Sequence, residues 1–204
     1  MKILNRVGDR SQRVFTTEDF IDLGDRHDIE KALSHLVEQN TLRRIGRGLY
    51  DYPRISKILQ RPAPPNMSAA IDAIARRDNI LILPDGIVAA HNLGLTNAVP
   101  ARHSYLTDGS SQTLQIGGQT LKLRHADRWL MAWHNRAGAP VVLALAWLGE
   151  NIAPDPAIVR ILRDRLSPDI KQDLMDRIKL IPDWMIPAIS QICSGVETNN
   201  EEVG

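Results

Sequence analysis

The chain has 204 residues, of which 43% are hydrophobic and 24% are charged, and its formal net charge is +1 at pH 7. Its single cysteine, Cys193, excludes an intramolecular disulfide and a metal site built from several thiolates. The longest apolar run, Val141 to Leu148, is far shorter than the roughly 20 residues that span a bilayer, and the N-terminal residues lack the apolar stretch of a signal peptide. We therefore expect a soluble cytoplasmic protein of one large or two small domains.

The charge is unevenly distributed along the chain. Through Arg61 there are 12 Lys and Arg against 9 Asp and Glu, whereas the remainder has 13 against 15. The positive excess therefore lies on the N-terminal segment. A bias of this size fits a nucleic-acid-binding segment but does not establish one by itself.

The first residues predict short elements. Apolar residues favour a helix over residues 1–7 and a strand over 13–15. Thr16 or Thr17 then caps another helix, whose first turn carries Glu18 and Asp19, where the helix dipole favours carboxylates. Gly24 is expected to end this helix in the left-handed conformation that glycine adopts at low cost.

A longer helix is predicted between Asp25 and Gln39. Asp25 caps it, and Asp28 stands at the spacing of a capping box. One face carries an apolar stripe at helical spacing, formed by Ile29, Ala32, Leu33, Leu36 and Val37. The other face carries a polar set able to donate hydrogen bonds to phosphates and base edges, namely Arg26, His27, Glu30, Lys31, Ser34 and His35.

A basic hairpin follows this helix. Its first strand carries Arg43 and Arg44, its turn is Gly46-Arg47-Gly48, and its second strand covers residues 49–52. The order of helix, turn, helix and glycine-tipped basic hairpin is typical of the winged-helix variant of the helix-turn-helix. The alternative interpretation is a small helical subdomain whose arginines are simply solvated.

The segment from Arg61 to Asn66 is the clearest candidate for a linker. It has three prolines in four positions, which can neither continue a helix nor join a sheet interior. The predicted fold class is α+β. Its predicted parts are a winged helix-turn-helix domain over 1–60, a proline-rich linker over 61–66, a mixed α/β domain with a small sheet and several helices over 67–193, and a disordered tail over 194–204.

The second predicted domain begins with a helix capped by Asn66 or Ser68 that runs to Arg77. A short strand over 80–83 and a helix between Asp85 and Gly94 follow. Residues 103–107 predict a strand, and residues 113–123 predict a hairpin that turns at Gly117-Gly118 and pairs Leu114 with Leu121. The remaining elements are helical segments over 129–133, 141–148, 156–166 and 168–181, a bend at Pro182, Trp184 and Pro187, and a final helix to Cys193.

Residues that could carry catalysis do not form a recognisable constellation. His91, His103, His125 and His134 are scattered, and no pair has the spacing that places two metal ligands on one helix face. No serine stands in a nucleophile elbow, and no glycine loop precedes a helix as a phosphate cradle does. We therefore predict no catalytic residue, metal or cofactor, and we expect Cys193 and the four tryptophans to pack in the core.

Two blocks of the sequence resemble a known family. The block VFTTEDFIDLGDRHDIEKALSHLVEQNTLRRIGRGLYDYP resembles the N-terminal winged helix of AbiEi-type antitoxins, the antitoxin half of type IV toxin-antitoxin systems. The hairpin of that group is G-x-I-x-R-x-x-x-G-x-Y-like, and Asn40 stands here where the group usually has Gly, although Asn also tolerates the left-handed conformation. The block LPDGIVAAHNLGLTNAVPARHSYLTDG resembles the second domain of the group, so that the resemblance extends from about Arg13 to Trp184.

The resemblance implies an autoregulatory repressor. Such a protein would bind DNA at inverted repeats upstream of its own operon, as a homodimer or as cooperative monomers, and would oppose a nucleotidyltransferase-like toxin without necessarily forming a stable complex with it. The residues predicted to contact DNA are Arg26, His27, Lys31, Ser34, His35, Arg43, Arg44, Arg47 and Tyr50. Two alternatives remain open: a scaffold whose winged helix contacts a protein, and an enzyme acting in the second domain.

Overall fold

The structure is a computed structural model that describes residues 2–8, 13–56, 60–100 and 103–194. It is an α+β fold, as predicted. In chain order its elements are α1 (Lys2–Gly8), β1 (Val14–Phe15), a 3₁₀ helix (Thr17–Leu23), α2 (Arg26–Glu38), β2 (Arg43–Gly46), β3 (Leu49–Asp51), α3 (Met67–Asp78), β4 (Ile82–Pro84), α4 (Gly86–Asn92), β5 (Ser104–Thr107), β6 (Gln112–Ile116), β7 (Gln119–His125), α5 (Arg128–Met131), α6 (Ala139–Leu148), α7 (Pro156–Arg165), α8 (Pro168–Asp176), two short 3₁₀ helices (Ile178–Leu180 and Asp183–Met185) and α9 (Ile186–Cys193).

The described residues form two compact units. The first unit combines residues from 1–82 with residues 109–123, and the second combines residues 83–108 with residues from 124 onward. This division differs from the predicted boundary at 61–66, because α3 and the β6–β7 hairpin both belong to the first unit although they follow the prolines in sequence. The predicted tail beyond residue 194 lies outside the described residues.

One hydrophobic core of the first unit is built from residues of α1, β1, the 3₁₀ helix, α2 and β3. Ile3 and Val7 of α1 are buried in it, and the rings of Phe15 and Phe20 stack with their centroids 5.6 Å apart. Leu33, at the centre of the apolar stripe predicted for α2, is fully buried. The periodic pattern therefore gives the correct inner face of α2, whose buried residues are Ile29 and Leu33.

The helix before α2 differs from the prediction. It is a 3₁₀ helix, and the backbone N–H of Thr16 donates to Asp19 Oδ2 at 2.8 Å at its start. Gly24 does not take the left-handed conformation, since its φ of 166° is extended. The prediction for Gly24 is wrong because the tighter 3₁₀ turn leaves the chain extended into Asp25, which caps α2 by accepting from the N–H of Arg26.

A three-stranded antiparallel sheet follows α2, in the order β1-β3-β2. Phe15 and Arg44 both face Tyr50 of the central strand β3. Asn40 has a φ of 57°, so it adopts the left-handed conformation expected of it after α2. Gly48 has a φ of 65° in the turn between β2 and β3. The predicted first strand and the predicted hairpin are both confirmed.

The proline-rich segment is folded against the first unit. The N–H of Ala63 donates to the carbonyl of Arg54 at 2.7 Å, and Ile55 and Pro62 form an isolated β-bridge. Pro65 is buried. The prolines do exclude regular secondary structure, as predicted, but the segment is packed rather than a free spacer between domains.

The β6–β7 hairpin confirms its predicted register. Leu114 faces Leu121, and the turn residues Gly117 and Gly118 have φ values of 55° and 83°. Positive φ at both positions is what a two-residue loop with the twist of the strands requires. The N–H of Gly117 donates to the carbonyl of Ile45 at 2.7 Å, which joins this hairpin to the end of β2.

The second unit is mainly helical. Its core contains Trp133, Leu145 and Leu162, all fully buried, together with the buried Cys193. Asp155 caps α7 by accepting from the N–H of Ala157 at 2.7 Å, and the helix begins at Pro156, where the predicted segment begins. Trp129 and Trp184 pack against the same core. Trp147 is the exception to the prediction for the four tryptophans, because it lies on the outer side of α6 and is 40% exposed.

Two helix boundaries in the second unit differ from the prediction. Helix α8 ends at Asp176 instead of continuing to about Ile181, because the chain passes through Arg177 into a separate 3₁₀ turn. Pro187 lies in the first turn of α9 rather than in the preceding bend, a position where its missing N–H costs no hydrogen bond.

Asp173 connects α8 to the start of α6. Burial opposes its ionisation, but hydrogen bonds from the N–H of Gly138 at 2.9 Å and from the guanidinium of Arg136 outweigh that effect and lower its pKa below the ordinary value. The lowered pKa extends the pH range in which the carboxylate is charged towards lower pH.

Within the described part of the chain, no helix is both long and apolar enough to cross a membrane.

Helices α4 and α6 approach each other so closely at Gly86 that a larger residue is not expected to fit there. A Cβ at this position would collide with the carbonyl oxygen of Leu143 and would stand 2.6 Å from Trp147 Cβ. We expect Gly86→Ala to lower the free energy of unfolding by about 1–3 kcal/mol, the usual cost of overpacking. Urea denaturation followed by circular dichroism measures this change. Gly8→Ala is the matched control, since a Cβ there meets nothing within 4 Å, and equal midpoints for both variants would contradict the prediction.

Candidate functional site

The polar face of α2 is open to solvent. The six residues predicted for it are all exposed, and they lie opposite the buried Ile29 and Leu33: Arg26, His27, Glu30, Lys31, Ser34 and His35. His35 lies 2.9 Å from the side-chain amide of Gln39 and 3.8 Å from a carboxylate oxygen of Glu38. Lys31 forms no salt bridge with any described residue. A row of polar side chains on one helix face is thus available to a partner.

A groove of about 850 Å³ runs beside this face within the first unit. Its walls come from α2, the 3₁₀ helix before it, the β2–β3 hairpin, the end of α3 and strand β6. Four guanidinium groups line it, one from α2, two from the β2–β3 hairpin and one from α3, and we call it the arginine groove: Arg26, Arg44, Arg47 and Arg77. Ser34 and Tyr50 also line it, whereas His27, Lys31, His35 and Arg43 do not.

Two of the four arginines are paired with carboxylates. Arg26 contacts Glu18 and Glu30, each at 3.1 Å, and these hydrogen bonds and charges raise its pKa further. Arg77 contacts Asp78 at 2.7 Å, which raises the pKa of Arg77 in spite of partial burial. Glu18, Glu30 and Asp78 all line the groove themselves, so this side of it carries three carboxylates against two guanidinium groups and has no positive excess.

The other two arginines carry the groove's unbalanced positive charge. Arg44 and Arg47 are exposed, and neither forms a salt bridge within the described part of the chain. The Nε of Arg44 donates weakly to the carbonyl of Gly46 at 3.4 Å. The carbonyl of Arg47 accepts from Arg77 Nη1 at 2.7 Å, which holds the hairpin turn in place. Both guanidinium groups can therefore bind an anion without breaking an existing ion pair.

Two residues of the predicted set are occupied inside the protein. Arg43 donates through Nε and Nη2 to the carboxylate of Asp51, at 2.9 and 2.6 Å, and through Nη1 to the carbonyl of Ala63 at 2.9 Å. Tyr50 belongs to the core and is only 6% exposed. Arg43 therefore offers no free donor to a phosphate, and Tyr50 is largely buried, so the proposal below rests on the other seven residues.

The sequence did not indicate several residues that line the groove. Arg77 lies at the end of α3, and Gln112, Thr113 and Gln115 lie on β6. Basic residues near a helix C-terminus are common for reasons of helix electrostatics alone, so Arg77 carried no distinct signal. Strand β6 lines the groove together with the β2–β3 hairpin, which lies far earlier in the sequence. No periodicity or spacing in a single sequence predicts that contact.

A second polar cluster lies in the second unit, at the start of α4. Asp85 is buried and accepts from Ser104 Oγ at 2.8 Å and from Arg124 Nη2 at 3.0 Å. A cavity of about 340 Å³ beside it is lined by Asp127 and Trp147 as well. The contacts satisfy the carboxylate, as a structural ion pair requires. No group of three or more His, Cys, Asp or Glu side chains in the described residues could hold a metal ion.

Comparison with known proteins gives one result. A family described as "Family of unknown function (DUF6088)" matches residues 2–170, which extends from α1 into α8. The chain belongs to this family. A search of the curated proteins and a search of the solved structures found no match to the chain.

The internal role of Arg43 can be tested by a double-mutant cycle. Arg43→Met removes both donors from Asp51, whose side chain is only 9% exposed. We expect this change to lower the free energy of unfolding by about 1–3 kcal/mol, because a buried acceptor loses its partners. Asp51→Leu in the same chain should restore part of the loss, since no unpaired charge then remains. Purely additive effects in chemical denaturation would contradict a direct interaction between the two side chains.

Proposed function

We propose that the N-terminal part of the first unit is a winged helix and that the protein is a sequence-specific DNA-binding repressor. The order of elements supports this: α1, β1, a short helix, α2 and the β2–β3 hairpin correspond to the helices, strands and wing of that fold. In this proposal α2 is the recognition helix, and the turn at Arg47 and Gly48 is the tip of the wing.

One observation carries the proposal. The exposed polar face of α2 stands beside two exposed arginines of the hairpin, Arg44 and Arg47, that have no carboxylate partner among the described residues. Unpaired guanidinium groups beside a polar helix face match the needs of a protein that binds phosphates with one element and reads bases with the next. The positive excess of the N-terminal segment supports the same function.

The two elements would have different tasks. Lys31, Ser34 and the two histidines of α2 would enter the major groove, where the donors and acceptors of base edges differ between base pairs. Arg44 and Arg47 would contact phosphates, which fixes the register without reading sequence. Arg26 would contribute only after exchanging Glu18 or Glu30 for DNA, because both carboxylates hold it now.

The resemblance to AbiEi-type antitoxins supports a biological role for this activity. We propose that the protein acts in the cytoplasm as the autorepressor of its own operon and as the antitoxin that opposes a nucleotidyltransferase-like toxin, without enzymatic activity of its own. One winged helix contacts few base pairs, so two protomers on an inverted repeat would supply the specificity that a genomic site needs.

The first test is a titration of the full chain against the DNA upstream of its own gene, with random DNA as competitor and at several salt concentrations. The wild type should prefer the upstream DNA. Arg47→Ala should weaken binding to both DNAs, with a log–log salt slope that is shallower by about one, since one phosphate contact is lost. The matched control is Arg54→Ala, because Arg54 is exposed in the same unit but does not line the arginine groove.

Two outcomes would contradict the proposal. Equal binding of upstream and random DNA would show that the protein does not read sequence. Absence of any DNA binding, together with salt-insensitive capture of the protein encoded next to it, would favour a winged helix that contacts protein instead.

A different result is expected for the recognition helix. Lys31 lies on the exposed face of α2, so Lys31→Ala should reduce the preference for upstream over random DNA by about 1–3 kcal/mol while leaving random DNA binding nearly unchanged. Competition titrations measure this ratio directly. Lys122→Ala, at an exposed lysine on β7, is the control. An equal loss on both DNAs would assign Lys31 to phosphate contact and refute its role in base recognition.

A further inference from the structure

The arginine groove has the size of a small-molecule site. Its volume of about 850 Å³ falls in the range of about 300–1,000 Å³ that ligand pockets occupy. A DNA duplex would pass across such a groove rather than fill it. All of its lining residues come from the first unit, so the groove belongs to a single folded body.

The charges of the groove favour an anion over a cation. The carboxylates in the lining, Glu18, Glu30 and Asp78, all form salt bridges with arginines. Arg44 and Arg47 remain without a carboxylate. An incoming anion could therefore be held by two guanidinium groups, whose fork of donors matches the oxygens of a phosphate.

The opposite wall offers contacts of another kind. Gln112, Thr113 and Gln115 of β6 carry neutral donors and acceptors, and Leu114 adds an apolar side chain. The turn bearing Arg47 is held by Arg77, and the end of β2 is held by the hydrogen bond from Gly117, so both walls are positioned before a ligand arrives. Pre-organisation of this kind lowers the entropic cost of binding.

We propose that the arginine groove binds a small phosphate-bearing molecule through Arg44 and Arg47, and that this ligand competes with DNA for the same two arginines. The binding site stands on the geometry of the groove alone. The competition rests on the proposed function, because it requires that Arg44 and Arg47 also contact DNA phosphates. The protein would then be a repressor that a phosphorylated metabolite releases from its operator.

Isothermal titration calorimetry of the full chain, without DNA, tests the site. Inorganic pyrophosphate is the probe for phosphate chemistry alone, and ADP adds a nucleoside to it. We expect the wild type to bind at least one probe with a stoichiometry of one, and the double variant Arg44→Ala/Arg47→Ala to bind at least tenfold more weakly. The control Arg54→Ala should stay within twofold of the wild type.

The two probes also distinguish the sources of the phosphate. Tighter binding of ADP than of pyrophosphate, lost selectively in Gln115→Ala, would support a nucleotide held against β6. Equal or tighter binding of pyrophosphate would support an inorganic polyphosphate. Failure of the wild type to bind either probe would overturn the proposal, and so would equal affinities for the wild type and the double variant.

A competition experiment then separates the two proposals of function. The probe that binds, pyrophosphate or ADP, should release labelled upstream DNA more effectively than sodium chloride at the same ionic strength. Release equal to that of sodium chloride would overturn the competition. Binding of either probe by a protein that binds no DNA would refute the DNA-binding proposal while leaving the site in place. Specific DNA binding without binding of either probe would refute the site while leaving the DNA-binding proposal in place.

Discussion

The triple contact of Arg43 is the interaction on which the candidate site depends. Its guanidinium joins the carboxylate of Asp51 to the carbonyl of Ala63, so that β2, β3 and the proline-rich segment are held at one point. That segment leads directly into α3, whose Arg77 reaches the carbonyl of Arg47 at the hairpin turn. The hairpin is therefore fixed at its base and at its tip by two arginines that face inward, and the arginines that remain exposed are the ones near the tip.

This division of arginines into paired and unpaired groups explains how a nearly neutral chain can present a local positive charge. The net charge of +1 gives little long-range attraction to DNA. Within the arginine groove, the carboxylates of Glu18 and Glu30 together exceed the charge of Arg26, and Asp78 cancels that of Arg77, so the positive charge that remains is that of Arg44 and Arg47. In the proposed function, such a surface would bind anions where its geometry is complementary and would bind them weakly elsewhere, which would favour selectivity over general affinity for nucleic acid.

Local elements of the fold could be predicted from the sequence, and contacts between distant elements could not. The apolar stripe of α2 and the register of the β6–β7 hairpin follow from periods of 3.6 and 2 residues, which depend only on neighbours along the chain. The conformation of Gly24 depends on whether the preceding turns are α or 3₁₀, which differ by one residue in hydrogen bonding. The partner of Arg43 and the arrival of β6 beside β2 depend on long-range packing, for which one sequence carries no signal. The sequence therefore predicted correctly which side chains of α2 are exposed. It did not distinguish Arg43 and Tyr50, which are held inside the protein, from the exposed Arg44 and Arg47.

The same contacts determine which part of the chain the proposed DNA-binding module would need. A module ending at residue 60 would lack Ala63 as a partner of Arg43, Arg77 as a support for the hairpin turn, and the hydrogen bond from Gly117 to the end of β2. It would also lack Gln112 to Ile116, a whole wall of the arginine groove. Each loss acts on the hairpin that carries Arg44 and Arg47, so the anion-binding geometry requires residues from both sides of the prolines. The match to the family extends across residues 2–170 and so includes all of these residues.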